Sequence, residues 1–144
     1  MGDVMARLEI RGTEELEIKL SKVADPELMK EVVWAGAQPV ADEIRKGLKK
    51  NLQGSEYATG DLLNSLGIAP PDIDRNGNAN TKISFHGYDK KGVANKLKAR
   101  VMESGSSKQK KRPFVRPAVR RARKKSINEM QKKIDEIIEI IMKG

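Results

Sequence analysis

The spacing of apolar residues changes partway along this chain, and that change limits the possible fold more than any other feature. Met29, Val33, Ala37, Val40, Ile44 and Leu48 recur every three or four positions, which is one face of an α-helix. From Thr81 to His86 the pattern alternates instead, with Ile83 and Phe85 on the inward side, as on a half-buried β-strand. The switch falls near Ser65. Helical spacing returns at the end, where Ile127, Met130, Ile134, Ile137 or Ile138, and Ile141 form a stripe. Helices first, strands in the middle and a helix last predict an α+β domain. Its N-terminal helices and a C-terminal helix pack on a small antiparallel sheet.

Local signals divide the chain further. Residues 5–10 alternate weakly and suit a short strand or an ordered tail. Thr13 is a good N-cap before Glu14 and Glu15, and Leu16, Leu20 and Val23 then share one helical face, predicting a first helix. Asp25-Pro26 opens the next helix, with Asp25 as cap and Pro26 in the first helical position. Pro39 interrupts its apolar line and predicts a kink or a break over residues 36–38. Residues 53–60 suit a loop and 61–65 a short turn of helix. A strand follows over 65–69, stopped by Pro70-Pro71. Residues 72–80 are turn-formers, expected to be exposed and mobile. After the strand over 81–86, a turn over 87–92 leads to a helical stretch over 93–103. Gly105-Ser106-Ser107 breaks that stretch, and Pro117 stands near the start of the last helix.

A length of 144 residues fits a single domain over 1–144. Aromatic residues make up 3% and charged residues 34%, so the core must be aliphatic and modest, with oligomer contacts expected to complete its stability. There is no cysteine, which removes disulfides, thiolate nucleophiles and Cys-based zinc sites together. No stretch approaches the roughly 20 apolar residues that span a bilayer. Met1-Gly2-Asp3-Val4 lacks the pattern of a signal peptide, and Ala6 replaces the Ser or Thr of a myristoylation site. The expectation is a soluble protein, intracellular when made, with no membrane partner.

Catalytic chemistry finds little support. His86 is the single histidine, with Ser84 two residues before it, but no serine sits in a Gly-x-Ser-x-Gly elbow and no third group is evident. Asp72, Asp74, Asn76 and Gly77 match the opening of a calcium loop, with Asn80 at the ninth position. The twelfth, which needs a bidentate glutamate, is Ile83. A polar hairpin loop is the simpler reading. Asp42 and Glu43 are sequence neighbours and point in different directions on a helix. The glycines form neither a phosphate loop nor a dinucleotide fingerprint. A protein without catalytic residues, cofactor or metal is expected.

The charge is concentrated. Residues 104–128 hold Lys108, Lys110, Lys111, Arg112, Arg116, Arg120, Arg121, Arg123, Lys124 and Lys125, and no carboxylate. The remainder carries 19 basic against 20 acidic residues, so the net charge of +9 comes from this one segment. Arg116 and Arg120, Arg120 and Lys124, and Arg121 and Lys125 are like charges four apart, each costing about 0.2–0.5 kcal/mol in a helix. Cations near a helix N-terminus also oppose its macrodipole, while Asp135, Glu136 and Glu139 gather toward the other end. A helix charged this way round points to an anionic partner: phosphate, a membrane surface or an acidic protein face.

Within the segment a family pattern is visible. Asn95-x3-Ala99-x3-Glu103-x-Gly105-Ser106, a short spacer, and then Arg112-Pro113-Phe114-Val115-Arg116-Pro117-Ala118 resemble the tail-component family of tailed bacteriophages. Gly60-Asp61-Leu62-Leu63-Asn64-Ser65-Leu66 is similar to that family's Gly-x-Leu-x-x-Ser-aliphatic element, and Ile10-x-Gly12 also fits. The resemblance covers most of the chain in order, with the Glu-x-Gly and Pro-Phe-x-Arg-Pro-Ala pairing as its specific part. Met102 and Ser104 stand where many relatives carry an aromatic, and the 108–112 cluster is more basic than the pattern requires. Asn95, Ala99 and Glu103 share a helix face, Gly105 permits a positive φ, and Phe114 anchors the corner between Pro113 and Pro117. Glu103 and Arg116 form a candidate ion pair, within a subunit or between subunits.

The resemblance implies a small virion protein, made in the bacterial host cytoplasm, that completes the tail end and takes part in head–tail joining. It implies a homo-oligomeric ring, expected to be a hexamer, whose partners are the head connector and the tail-tube proteins. Non-specific contact with phage DNA in a channel is a second expectation. The rival class is a nucleic-acid-binding protein acting through residues 108–125, in keeping with a pI near 9.8. Against it, only Phe114 lies near the cluster for base stacking, and no helix-turn-helix, zinc or RNA-binding signature is present.

Overall fold

The computed structural model describes residues 5–11, 15–21, 25–53 and 60–143. It is an α+β fold, a small antiparallel sheet packed against two long helices. The chain opens with a β-hairpin of β1 (Met5–Arg11) and β2 (Glu15–Ser21), in register from Met5 opposite Ser21 to Arg11 opposite Glu15. This corrects the expected first helix. Leu16 and Leu20 fit a helix because they are four apart, yet four is also an even interval. Ile18 between them decides for a strand, and all three are at most 1% exposed. Thr13 and Val23, the other supports for that helix, lie outside the described residues, as does the stretch 54–59 of the expected loop.

Helix α1 (Pro26–Leu52) starts where Asp25-Pro26 requires, with the Asp25 carboxylate accepting from the Glu27 backbone N–H at 3.1 Å. It runs through Pro39 as one helix, so the expected split does not occur. A proline inside a helix removes one hydrogen bond and costs about 3 kcal/mol. Here Pro39 is buried, among Val32, Val33, Ala37, Val40, Ile44 and Leu48. Each buried aliphatic side chain contributes about 1.5–3 kcal/mol, which offsets the loss.

The short α2 (Asp61–Asn64) and strand β3 (Leu66–Ile68) fall where the sequence placed them. The following stretch is not wholly the exposed loop expected, since parts of it form strands and Ala79 and Asn80 are buried. β4 (Asp72–Ile73) turns back onto β5 (Ala79–Phe85), pairing Asp72 with Asn80. The Asp74 carboxylate holds the turn by accepting from the N–H groups of Asn76 and Asn78, and Gly77 supplies φ +81°. The candidate calcium ligand Asp74 is thus engaged in the turn and in an ion pair with Lys19 at 2.7 Å. The strand order is β1-β2-β5-β3, and β4 also pairs with β5.

α3 (Asn95–Ser104) and α4 (Val115–Lys143) complete the fold. α4 packs antiparallel along α1: Arg112 meets Asn51, Arg121 meets Glu43, and Ser126 meets Gly36. The face it buries includes Met130, Ile134 and Ile137 of the expected stripe and departs from that stripe at both ends. Val115, Ala118, Val119, Ala122, Ser126, Met130 and Ile137 are buried, while Ile127 and Ile141 are exposed. Close approach explains the difference. Ala118, Ala122 and Ser126 are small and four apart, and Gly36 across the seam leaves the room that Met130 fills, since a Cβ there would stand 2.5 Å from the Met130 Cγ. Ser126 Oγ donates to the Gly36 carbonyl at 2.7 Å, so the polar residue in the seam is satisfied.

Candidate functional site

The residues that carry the family pattern converge on one corner, where α3 hands the chain to α4. Asn95, Ala99 and Glu103 lie on the buried face of α3, at most 3% exposed. Asn95 Nδ2 donates to the His86 carbonyl at 3.0 Å, tying the start of α3 to the end of β5. At the other end, Glu103 does not pair with the Arg116 side chain, which is exposed. Its carboxylate instead accepts backbone N–H groups at the start of α4: Phe114 at 2.8 Å and Val115 at 2.7 Å on Oε1, Arg116 at 3.3 Å on Oε2. A helix start leaves N–H groups without intrahelical partners and a partial positive charge. A buried carboxylate answers both, and it also offsets the cations that follow in the sequence.

Gly105 and Arg112 shape the connection. Gly105 has φ +80° and ψ 178°, a conformation nearly restricted to glycine, and its α-carbon faces the Lys111 backbone closely. The Arg112 N–H donates to the Met102 carbonyl at 2.7 Å. Its guanidinium donates to the Asn51 carbonyl, and Asn51 Nδ2 donates back to the Arg112 carbonyl, both at 2.8 Å. This reciprocal clasp fastens the loop to the last turn of α1. Phe114 is 2% exposed and meets Phe85 edge-on, with ring centroids 5.9 Å apart at 68°.

The ten basic residues therefore divide. Arg112 holds the fold. Arg121 reaches Glu43 on α1 at 2.9 Å, and its guanidinium holds that carboxyl below the ordinary range against the opposing effect of burial. Lys125, on the same flank, lines a cleft with Asp42, Glu43 and Lys46. The others face solvent: Lys108, Lys110 and Lys111 on the loop, then Arg116, Arg120, Arg123 and Lys124 on the outer side of α4. Arg116, Arg120 and Lys124 are four apart and form one stripe, continuous in sequence with the loop lysines. Pro113 is exposed, while Pro117 and Ala118 set the first turn against the core.

His86 stands just past β5, exposed, with Nε2 3.4 Å from Ser84 Oγ. Among the described residues there is no cluster of three or more His, Asp or Glu able to hold a metal ion. No described helix is long and apolar enough to cross a membrane.

One feature escapes the pattern of large, isolated motifs. Val93, Leu97 and Val101 line an apolar cleft over α3, with Leu62 and Met102 beneath. Their spacing of four was its signal in the sequence, masked by the Asn95, Ala99 and Glu103 spacing on the opposite side. The rim is set by Asp89, whose carboxylate accepts from the Lys91 and Val93 N–H groups and pairs with Lys98 at 3.0 Å. Those N–H groups, Val93 foremost, and the Lys98 ammonium lower its pKa. Comparison with protein-family models, with curated proteins and with solved structures gave no match to this chain.

Proposed function

We propose that this chain is a non-enzymatic assembly protein of a tailed bacteriophage or prophage, which completes the tail end and takes part in joining tail to head as a ring of copies. The observation that carries the reading is that the residues of the resemblance act as one physical unit. Asn95, Ala99 and Glu103 form one buried face, and Glu103 caps the helix that begins after Arg112-Pro113-Phe114. Such a corner fixes the direction of α4 and presents its basic outer stripe on a rigid support. In this reading the stripe and the loop lysines meet acidic surfaces of the head connector or tail tube, and the protein resides in the virion.

The rival, a nucleic-acid-binding protein acting through residues 108–125, loses two contributors. Phe114 is buried and cannot stack on bases, and Arg112 is engaged with α1. Binding measurements separate the two. The proposed function expects the purified chain to bind isolated tails or connectors with a strong salt dependence, and to bind duplex DNA weakly. Tight duplex binding without sequence preference, weakening steeply with salt, together with no binding to tails or connectors, supports the rival instead.

A further inference from the structure

β1 stands at one end of the strand order β1-β2-β5-β3 and pairs only with β2 among the described strands. Half of the backbone N–H and C=O groups of such an edge strand point away from the sheet, a template on which another strand can pair. Proteins commonly blunt the template with proline, a bulge or a very short strand. β1 has none of these. Its seven residues, Met-Ala-Arg-Leu-Glu-Ile-Arg, pair with β2 in unbroken register.

The charges of this strand suit a copy of itself better than they suit β2. In the hairpin Arg7 stands opposite Lys19 and Glu9 opposite Glu17, and like charges directly opposite disfavour strand pairing. Lys19 finds a carboxylate elsewhere, in Asp74 at 2.7 Å. Two β1 strands set antiparallel and centred on Leu8 place Arg7 of each copy opposite Glu9 of the other. Ala6 then stands opposite Ile10 and Met5 opposite Arg11, so all seven residues are paired. Registers centred on Arg7 or on Glu9 put like charges opposite one another and pair fewer residues. The register of longest overlap is thus the one its nearest alternatives cannot match in charge.

We infer that two copies of this chain join at β1, antiparallel and centred on Leu8, to make one continuous sheet. The two-fold axis of an antiparallel pair runs normal to the sheet, so both copies keep their helices on the same side. α4 is packed against β1, and the contact therefore brings the two α4 helices toward each other beneath the joined strands. It is an isologous contact and closes at two copies. The inference does not rest on the proposed function, and the ring proposed there would need a further, head-to-tail surface.

The test is sedimentation of the full chain over a wide concentration range, with Arg7→Glu, Glu9→Arg and the double exchange Arg7→Glu/Glu9→Arg. The wild type forms dimers. Each single exchange sets two like-charge pairs across the axis and weakens dimerisation at least about tenfold. The double exchange restores opposite charges and with them the dimer. An equal mixture of the two single variants also regains it, because the unlike copies are complementary. Misfolding does not mimic this pattern, since each single exchange turns a like-charge pair of the hairpin into an opposite-charge one. Circular dichroism with thermal unfolding checks that each variant folds. Hydrogen exchange on the wild type gives a reading free of mutation: the amides of residues 5–11 gain protection as concentration rises through the dimerisation range. A wild type that stays monomeric, or β1 amides that gain no protection, overturns the inference. Dimerisation that the single exchanges leave unchanged, or that the mixture fails to recover, places the interface elsewhere and overturns it equally.

Discussion

The Glu103 carboxylate and the Val115 backbone N–H stand 2.7 Å apart, joining two helices whose linked residues are twelve positions apart in sequence. The same carboxylate accepts from Phe114 and Arg116, so a side chain of α3 serves as the cap of α4. A helix that starts with Arg116, Arg120 and Arg121 is opposed by its own macrodipole, and a buried negative charge at its first turn counters that. The corner and the basic stripe are thus coupled: the cap is what lets cations crowd the start of this helix.

Removing the cap tests that coupling. Glu103→Ala leaves N–H groups buried without partners and lowers stability by about 2–3 kcal/mol, while Glu103→Gln keeps one accepting oxygen and costs less. Urea unfolding measures both. An alanine variant within about 0.5 kcal/mol of the wild type, the range of an ordinary surface change, contradicts the role given to Glu103.

Two glycines of positive φ separate strain from crowding. Gly105→Ala places a Cβ 2.9 Å from the Lys111 backbone nitrogen and 3.1 Å from the Gln109 carbonyl oxygen. Gly77 has φ +81° with open space around it. Gly77→Ala is expected to cost about 1–2 kcal/mol for its backbone conformation alone. Gly105→Ala costs more, since backbone atoms must move as well. Equal unfolding midpoints for the two variants would refute the close approach at Gly105.

Acid should loosen specific attachments. Asp89 is held below the ordinary carboxylate range by the Val93 N–H and Lys98, Asp74 by Lys19 and the Asn78 N–H, and Glu43 by Arg121. A depressed folded-state pKa contributes stability above the unfolded value that is lost as pH falls through the folded one. These contributions are therefore intact at neutral pH and fade below the ordinary values of 3.8 for Asp and 4.5 for Glu. Asp89→Asn should be less stable than the wild type at pH 7, and the difference should shrink as pH falls below 3.8. A difference independent of pH contradicts this assignment.

Long, uniform patterns were legible in the sequence, and choices between neighbouring faces were not. Six apolar positions from Met29 to Leu48 repeat often enough to define α1, and Ile83 and Phe85 define β5. Leu16 and Leu20 satisfy both periods, so pairing with β1 and β5 decided their state. The later part of the α4 seam, Met130, Ile134 and Ile137, was legible, but its first part went unread because small residues, Ala118, Ala122 and Ser126, bring it close to Gly36. At the corner, the Asn95, Ala99 and Glu103 face was legible from spacing. The target of Glu103 was not, since nothing local in sequence distinguishes an arginine side chain from backbone N–H groups as its partner. The split of the basic block was hidden for a similar reason: Arg112 and Arg121 find their partners, Asn51 and Glu43, on a distant helix.

Folding and partner binding should separate by mutation. Phe114→Ala removes a buried ring and is expected to cost about 3–5 kcal/mol. Lys110→Glu, Lys111→Glu, Arg120→Glu and Lys124→Glu together change only exposed positions. They relieve like-charge pairs and place acids near a helix N-terminus, so this variant should be as stable as the wild type or slightly more so. A marked loss of stability in the fourfold variant would show that the stripe serves the fold.

The most direct measurement is complementation of a phage or prophage that lacks this chain, with that fourfold variant supplied in its place. The account predicts a folded, stable protein that yields filled heads and separate tails but few joined, infectious particles, while the wild-type chain restores them. A fourfold variant that assembles infectious particles at the wild-type level would contradict it, leaving the basic stripe as solvated surface.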